Sequence, residues 1–326
     1  MPSWSQILEE AQLSAAERGD QGPDLDGIRR KYLLQLHERT GRAAILYASG
    51  WLAGKVGFQQ TAVVGEDVHG FMQVCHGVEE RELDLILHSP GGQPEAAEQI
   101  VEYLRTQFDH IRCFVPMQAK SAATMIALAC DEIVMGHHSE LGPIDPQLGL
   151  ATPEGVRQGP AHAILRDFRR AQAETTQNVG ALPAWTPILR SYVGGLIDSC
   201  YQAIQLSMEL VQGWLERYML QHDDLGLDDA GRADAAKRMA EYFGSEDAYD
   251  RLHSHGRPIR LPELQEIGLR VRHLGDDDAL QDAVLSVYHA TAISFGGAAT
   301  KIVENHLGST WAKLQAPIIL QQPMPM

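Results

Sequence analysis

Ser121 carries a hydroxyl at a point where a loop is predicted to turn into a helix. The residues after it, Ala122 to Cys130, are small or apolar and contain no helix breaker, which favours a helix that starts at the serine. The free N–H groups and partial positive charge at such a helix end could stabilise an oxyanion formed beside Ser121. Serine is also a preferred N-cap residue with a purely structural role. The position alone therefore does not distinguish a nucleophile from a cap.

A second set of backbone donors favours the nucleophile. The apolar run Leu85 to Leu87 is predicted to be a buried strand, and it leads into Ser89-Pro90-Gly91-Gly92. Two glycines leave the backbone free to turn its N–H groups toward a ligand. Because the carboxyl ends of neighbouring parallel strands face one crevice, these glycines are expected to lie near Ser121. Two donor platforms around one hydroxyl are suited to acyl transfer.

The elements that must position these groups form repeated strand and helix units. A helix is predicted from Pro94 to Phe108, because proline suits the first turn and apolar residues then recur at helical spacing. Strands are predicted at 111–115 and 131–135, on either side of the helix that starts at Ser121. Strands joined by helices in this way cross over right-handed, so the pattern predicts an α/β fold with parallel strands.

Four short motifs in the centre of the chain carry a resemblance. They are Leu87-His88-Ser89-Pro90-Gly91-Gly92, Ala119-Lys120-Ser121-Ala122-Ala123-Thr124, Asp131-Glu132-Ile133-Val134-Met135 and Leu141-Gly142-Pro143-Ile144-Asp145-Pro146-Gln147. Together they resemble the serine dehydrogenase proteinase family, which lies in the ClpP and crotonase fold superfamily beside the signal peptide peptidases. Later segments also look like that family, namely His255-Gly256-Arg257-Pro258-Ile259 with 264–271, and Lys301-Ile302-Val303-Glu304-Asn305-His306.

The resemblance implies a fold and an activity. The fold would be α/β, a ClpP/crotonase-like repeated strand-strand-helix spiral with added helices. The activity would be that of a soluble ClpP-class serine peptidase acting on peptides or unfolded protein segments. Ser121 would be the nucleophile, and the N–H groups of Gly92 and Ala122, with Gly91 beside them, would form the oxyanion hole.

The general base is left open by the sequence. A serine hydroxyl needs a base within hydrogen-bond reach, and the resemblance implies a histidine, as in Clp proteases, or a lysine, as in signal peptide peptidases. No lysine occurs between Ser121 and Lys237, so the usual serine-lysine pair is not supported. The candidates are Lys120, His137 or His138, His162, and Lys301 or a residue of a neighbouring subunit; the remaining alternative is that no base exists. Asp145 is interpreted as a turn residue or an orienting carboxylate.

Composition excludes several other classes of protein. The chain has 326 residues with 27 basic and 43 acidic side chains, a formal charge of -16, which argues against a surface for nucleic acid or anionic membranes. The four cysteines are widely spaced and show no CxxC pattern, so neither a disulfide framework nor a zinc site is predicted. No apolar run is long enough to span a membrane and no secretory signal is recognised, so a cytoplasmic protein is expected. No cofactor is predicted.

The chain is divided into three parts on its patterns. Residues 1–27 are predicted to be a polar N-terminal extension, 28–275 the ClpP/crotonase-like core with a helical insertion near 187–250, and 276–326 a C-terminal helical segment and tail. Apolar residues at helical spacing from Leu189 to Leu220 suggest core or a subunit interface, and hence a homo-oligomer. No motif identifies an ATPase partner.

Two further functions stay open beside the peptidase. The chain could be a catalytically inactive oligomeric scaffold that retains the cleft. It could also be a crotonase-type acyl-CoA enzyme, because paired N–H groups can stabilise a thioester enolate. That chemistry would require a carboxylate opposite the donors, for which Glu140 and Asp145 are candidates, and a basic pocket for the phosphates, for which this region has few cations.

Overall fold

The computed structural model describes residues 4–19, 22–152, 155–222 and 226–315. The tail 317–326, predicted to be disordered or a partner-binding strand, lies outside the described residues. Among the described helices, none has both the length and the apolar character needed to cross a membrane.

Helices and strands alternate in the first half of the chain, and helices predominate from 161 to 266. The helices are α1 Trp4–Arg18, α2 Leu25–Thr40, α3 Phe58–Thr61, α4 Asp67–Cys75, α5 Pro94–Gln107, α6 Ala122–Leu128, α7 Ala161–Gln177, α8 Leu182–Arg190, α9 Leu196–Arg217, α10 Asp229–Gly244, α11 Glu246–Leu252, α12 Leu261–Glu266 and α13 Asp278–Ser294. The strands are β1 Ala43–Ser49, β2 Glu82–His88, β3 His110–Val115, β4 Gln118–Ala119, β5 Glu132–Met135, β6 Glu140–Leu141, β7 Gln147–Thr152, β8 Gly155–Pro160, β9 Val271–His273, β10 Ala299–Asn305 and β11 Thr310–Leu314.

A seven-stranded sheet with the order β11-β10-β1-β2-β3-β5-β9 forms the centre of the protein. The strands from β1 to β9 in this order run parallel, whereas β10 and β11 are antiparallel at one edge. The helix α5 connects β2 to β3, and α6 lies between β3 and β5, as the repeated pattern predicts. The predicted α/β fold class is confirmed.

Both faces of the sheet are buried, which explains why its strands are apolar along their whole length. Side chains alternate between the faces with a period of two, so Ile45 and Leu85 enter one core while Leu46 and Ile86 enter the other. The first core packs against α5, α6, α9 and α10, and the second against α1, α2 and α13. Gly91 and Gly92 follow the carboxyl end of β2, and Ser121 follows that of β3, next to α6 of the first core.

Two predicted elements were wrong in detail. Glycine and proline suggested that 140–150 has no regular structure, yet β6 pairs with β4, and β7 forms an antiparallel hairpin with β8 in which Gln147 faces Pro160. Pairing across the strands outweighs the low local propensity. The apolar segment 189–220, expected to be helical with a kink at Gly194-Gly195, is interrupted there completely: Gly195 adopts a φ of 83° and α9 starts after it.

The C-terminal part also contains more than helix. After α13 the chain enters the sheet as β10, which pairs antiparallel with β1, and β11 then forms the edge. The strands β10 and β11 thus belong to the same sheet as β2, which leads into Gly91 and Gly92. The division at residue 275 stays a prediction.

Candidate active site

Ser121 has an unusual backbone conformation, with φ 50° and ψ −121°, just before the first residue of α6. Positive φ in a residue with a side chain costs on the order of 1–3 kcal/mol and persists only where the surroundings enforce it. The Ser121 hydroxyl makes no cap hydrogen bond to the helix. The capping explanation for this serine is therefore not realised, and its half-buried hydroxyl is free to face the cavity described below.

Residues on both sides of Ser121 hold this turn in place. The Thr124 hydroxyl donates to the carbonyl of Ala119 over 2.8 Å and accepts the N–H of Gly142 over 3.0 Å. The Lys120 ammonium lies 2.9 Å from a carboxylate oxygen of Glu140 and is buried. Burial lowers the pKa of Lys120, while the hydrogen bond with Glu140 opposes that shift. Lys120 is thus engaged in an ion pair behind the turn.

The segment after β2, residues 89–92, packs so closely against the turn at Ser121 that only glycine fits at position 91. Gly91 has a φ of 87°, and a Cβ there would lie 2.2 Å from the carbonyl oxygen of Lys120 and 2.6 Å from Cβ of Ser121. A Cβ on Gly92 would lie 2.2 Å from the carbonyl oxygen of Val63. The need for two consecutive glycines therefore follows from backbone contacts on two opposite sides.

Two backbone N–H groups near Ser121, those of Gly92 and Ala122, lack an acceptor in the neighbouring backbone pattern. Gly92 forms a parallel bridge with Val63 in which the Val63 N–H donates to Gly91 and the Gln93 N–H donates to Val63. In such a bridge the N–H of Gly92 itself points away from Val63. Ala122 is the first residue of α6, and the first N–H groups of a helix have no intrahelical acceptor. Gly92 and Ser121 line one cavity, and Ala122 directly follows Ser121 in the chain.

This cavity has a volume of about 720 Å³, enough for several side chains of a bound peptide. Its walls are mostly apolar and include Met125, Ile144, Leu148 and Leu206. The residues of α9 that face it are Ala203, Leu206 and Ser207, which share one helix face by their spacing.

His255 lies on the same cavity wall and is paired with Asp145. Nδ1 of His255 lies 2.7 Å from Oδ1 of Asp145, whose carboxylate is buried. The other oxygen of Asp145 accepts a hydrogen bond of 2.8 Å from the Gln147 amide. With Nδ1 donating to a carboxylate, the neutral imidazole presents Nε2 as a proton acceptor. A serine, and a histidine that is paired with a buried aspartate, thus line the same cavity.

Main-chain pairing joins the segment of Asp145 to the loop that contains His255. Leu141 and Ile259 form an antiparallel bridge with two hydrogen bonds of 3.0 Å. Gly142 in turn packs against Lys120, because a Cβ on Gly142 would lie 2.8 Å from its Cδ. The turn at Ser121, the segment ending at Asp145 and the loop of His255 are thus contiguous.

The histidines that the sequence analysis considered as bases have other partners. Nε2 of His138 lies 3.0 Å from the carbonyl oxygen of Pro116, and the His137 ring contacts that of His273 with centroids 4.1 Å apart and a tilt of 37°. Nε2 of His162 lies 2.9 Å from the carbonyl oxygen of Gly244. None of these three is on the described cavity wall.

Lys301 is also committed to other contacts. Its ammonium is fully buried and lies 2.7 Å from each carboxylate oxygen of Asp67. Both lysines named as candidate bases are thus engaged with carboxylates, Lys120 with Glu140 and Lys301 with Asp67.

Two clusters of histidine and carboxylate groups occur away from the cavity. His37, Glu80 and His306 form one, and His110, Asp131 and His222 form the other. In the first, the rings of His37 and His306 stack nearly parallel with their centroids 4.0 Å apart. In the second, Asp131 is also paired with Arg105 over 2.8 Å.

Sequence reasoning did not single out His255 as a base. It placed His255 in a later motif and proposed an orienting role for Asp145 without naming the side chain it would orient. The signal that could have connected them is the shared family likeness of the two motifs, 141–147 and 255–259.

Comparisons with known proteins agree with the central motifs. Residues 66–180 match the model of a family described as ClpP-like SDH-type serine proteinase. Two uncharacterized proteins of Methanocaldococcus jannaschii are related in sequence. MJ0137 is 33% identical over 46% of this chain and 54% of its own, and MJ1495 is 30% identical over 59% of this chain and 53% of its own. The chain thus spans about half the length of these curated relatives.

Two solved structures are also similar. One is a serine-to-alanine mutant of the 1510-N membrane-bound stomatin-specific protease, with a TM-score of 0.37 and 16% identity over 64% of this chain and 74% of that chain. The other is a lysine-to-alanine mutant of 1510-N membrane-bound stomatin-specific protease in complex with a substrate peptide, with a TM-score of 0.26 and 18% identity over 65% and 84%. The resemblance predicted from the motifs is confirmed by the family match: residues 66–180 are similar to the ClpP-like SDH-type serine proteinases.

Proposed function

We propose that this protein is a serine peptidase in which Ser121 is the nucleophile, His255 the general base and Asp145 the residue that orients it. The observation that carries the proposal is the hydrogen bond between His255 and Asp145 on the wall of the cavity that Ser121 also lines. The family match over residues 66–180 supports serine peptidase chemistry in general. The individual roles rest on the geometry of the site.

The mechanism begins with activation of the hydroxyl. Nε2 of His255 takes the proton of Ser121 as Oγ attacks the carbonyl carbon of the peptide bond. Asp145 keeps the imidazole in the required tautomer and stabilises the imidazolium that forms. His255 then gives the proton to the leaving amine, and the acyl group stays on Ser121 as an ester. Water activated by His255 hydrolyses this ester and restores the serine.

The negative charge that develops on the substrate oxygen is stabilised by backbone donors. The N–H groups of Gly92 and Ala122 come from the two elements that Gly91 and Ser121 pack together. Donors fixed before the reaction do not have to reorganise as charge develops, and removing one such donor in other enzymes lowers kcat by roughly 10²–10³-fold.

The cavity also bears on the alternative functions. Among the described residues that line it, Glu95 and His255 are the ones with ionisable acid or base groups, and neither lysine nor arginine is on the wall. A pocket for the phosphates of coenzyme A would call for such cations, so the acyl-CoA alternative is not favoured. A peptide with apolar side chains suits the same walls.

The homo-oligomer stays a prediction, with a weaker basis than the sequence offered. Much of the apolar stripe from which it was predicted is covered within the chain, since Cys200, Val211, Trp214 and Leu215 of α9 are fully buried.

The proposal is tested by active-site labelling. The full chain is incubated with a fluorophosphonate probe, the modified residue is located by mass spectrometry, and hydrolysis of an unfolded protein is followed in parallel. We expect one phosphonate on Ser121, loss of labelling and hydrolysis in Ser121→Ala, and continued labelling in Ser207→Ala, which removes another hydroxyl from the same cavity. Labelling at Ser207, or equal labelling of Ser121→Ala and wild type, would contradict the proposal.

A further inference from the structure

Lys301 and Asp67 form a buried ion pair beside residues 62–64, the segment that is bridged to Gly92. We propose that Lys301 and Asp67 act as positioning residues for catalysis, because they hold residues 62–64, and Val63 within this segment is bridged to Gly92. This inference rests on the proposed function, since it assigns the pair a role in that reaction. It also gives Lys301 a use other than that of the general base.

The pair makes a closed set of contacts with the backbone of 62–64. The Lys301 ammonium donates to the carbonyl of Ala62 over 2.6 Å and to both oxygens of Asp67 over 2.7 Å. One oxygen of Asp67 also accepts the N–H of Val64 over 3.0 Å. The residues before and after Val63 are therefore both fixed by the same ion pair.

Val63 connects residues 62–64 to the segment 91–93 through two backbone hydrogen bonds. Its N–H donates to the carbonyl of Gly91 over 2.8 Å, and its carbonyl accepts the N–H of Gln93 over 2.9 Å. These two bonds flank Gly92 and determine the direction of its N–H. The two backbones also lie close together, since a Cβ on Gly92 would be 2.2 Å from the carbonyl oxygen of Val63. A shift at Val63 must therefore move the Gly92 amide.

The chemistry of the pair is consistent with positioning. Lys301, Asp67 and Tyr47 are fully buried, and the Tyr47 hydroxyl donates to Asp67 over 2.6 Å. Burial lowers the pKa of Lys301, while Asp67 opposes that shift by favouring the ammonium. A buried ion pair contributes little net stability compared with apolar side chains of the same shape, and its best-attested use is to specify one arrangement. Here the specified arrangement is that of 62–64 against the glycines.

The test compares Lys301→Met with Lys313→Met. Methionine keeps the length and apolar character of the lysine side chain, and Lys313 makes a more exposed ion pair of 2.8 Å with Glu66, the neighbour of Asp67. Hydrogen exchange is measured on peptides covering 61–67 and 89–94, together with kcat and KM. We expect exchange in both peptides to accelerate at least about 10-fold in Lys301→Met, and kcat to fall about 10–100-fold with KM within about 3-fold. Lys313→Met is expected to match wild type in both.

Tyr47→Phe covers the case in which Lys301→Met fails to fold. It removes one hydrogen bond to Asp67 and keeps the ion pair, so a several-fold fall in kcat at unchanged KM is expected. Unchanged exchange in 89–94, or unchanged kcat in folded Lys301→Met or in Tyr47→Phe, would overturn the inference. If exchange accelerates while wild type shows no labelling of Ser121, the positioning role in catalysis is overturned together with the proposed function, and only the structural coupling stands.

Discussion

His255 and Asp145 are joined by a hydrogen bond of 2.7 Å although they lie 110 residues apart in the chain. Asp145 follows the turn that packs against Lys120, whereas His255 lies in the loop between α11 and α12. The bridge between Leu141 and Ile259 determines that these two segments meet. The proposed base and the carboxylate proposed to orient it thus come from separate parts of the fold.

Replacement of Asp145 by asparagine should impair catalysis more than folding. Asparagine keeps the shape of the side chain but can present its amide N–H₂ to Nδ1, which favours the wrong imidazole tautomer. We expect kcat to fall about 10²–10⁴-fold with KM little changed. Steady-state kinetics with a fluorogenic peptide check this, with circular dichroism as the control for folding. A kcat within about 3-fold of wild type would show that Asp145 does not orient the base.

Replacement of Gly91 by alanine should be far more destabilising than replacement of Gly41. Both glycines have positive φ, 87° and 66°, but a Cβ on Gly91 would meet the carbonyl oxygen of Lys120 at 2.2 Å, whereas Gly41 has open space around it. We expect Gly41→Ala to lower the free energy of unfolding by about 1 kcal/mol and Gly91→Ala by at least about 3 kcal/mol. Urea unfolding measures both, and equal losses would mean that the close approach at Gly91 is not maintained in solution.

Stability should decline in mild acid because of His88. This side chain is buried at the end of β2, and burial lowers its pKa from 6.5 to about 4, partly offset by a hydrogen bond with Gln118. Since the folded pKa lies below the unfolded value, the unfolded chain binds the proton first. The neutral His88 side chain therefore contributes about 3 kcal/mol to the free energy of unfolding above pH 6.5, and this contribution is lost as the pH falls to about 4.

The measurement is the free energy of unfolding at pH 7 and pH 4.5 for wild type and His88→Gln. Glutamine cannot bind a proton in this range, so the difference between the two pH values should shrink by about 2–3 kcal/mol. His76→Gln, a change at an exposed histidine, serves as the control. The same pH dependence in wild type and His88→Gln would show that His88 is not the group responsible.

The parts of the site that depend on local patterns could be predicted from the sequence. Ser121 before a helix and the glycines after β2 follow from breakers, spacing and the family likeness of contiguous motifs. His255 could not be assigned as the base in this way, because its relation to Asp145 is created by pairing between distant segments. The same holds for β10, whose place beside β1 depends on a long-range antiparallel pairing.

The most direct test of the account is the second-order rate of Ser121 phosphonylation in His255→Gln, compared with His138→Gln. Fluorophosphonate attack requires an activated serine but no peptide substrate, so it reports on the base itself. We predict a rate at least about 100-fold below wild type for His255→Gln. For His138→Gln, whose ring binds the carbonyl of Pro116, a rate within about 2-fold of wild type is predicted. An undiminished rate in folded His255→Gln would contradict the assignment of His255 as the base of Ser121.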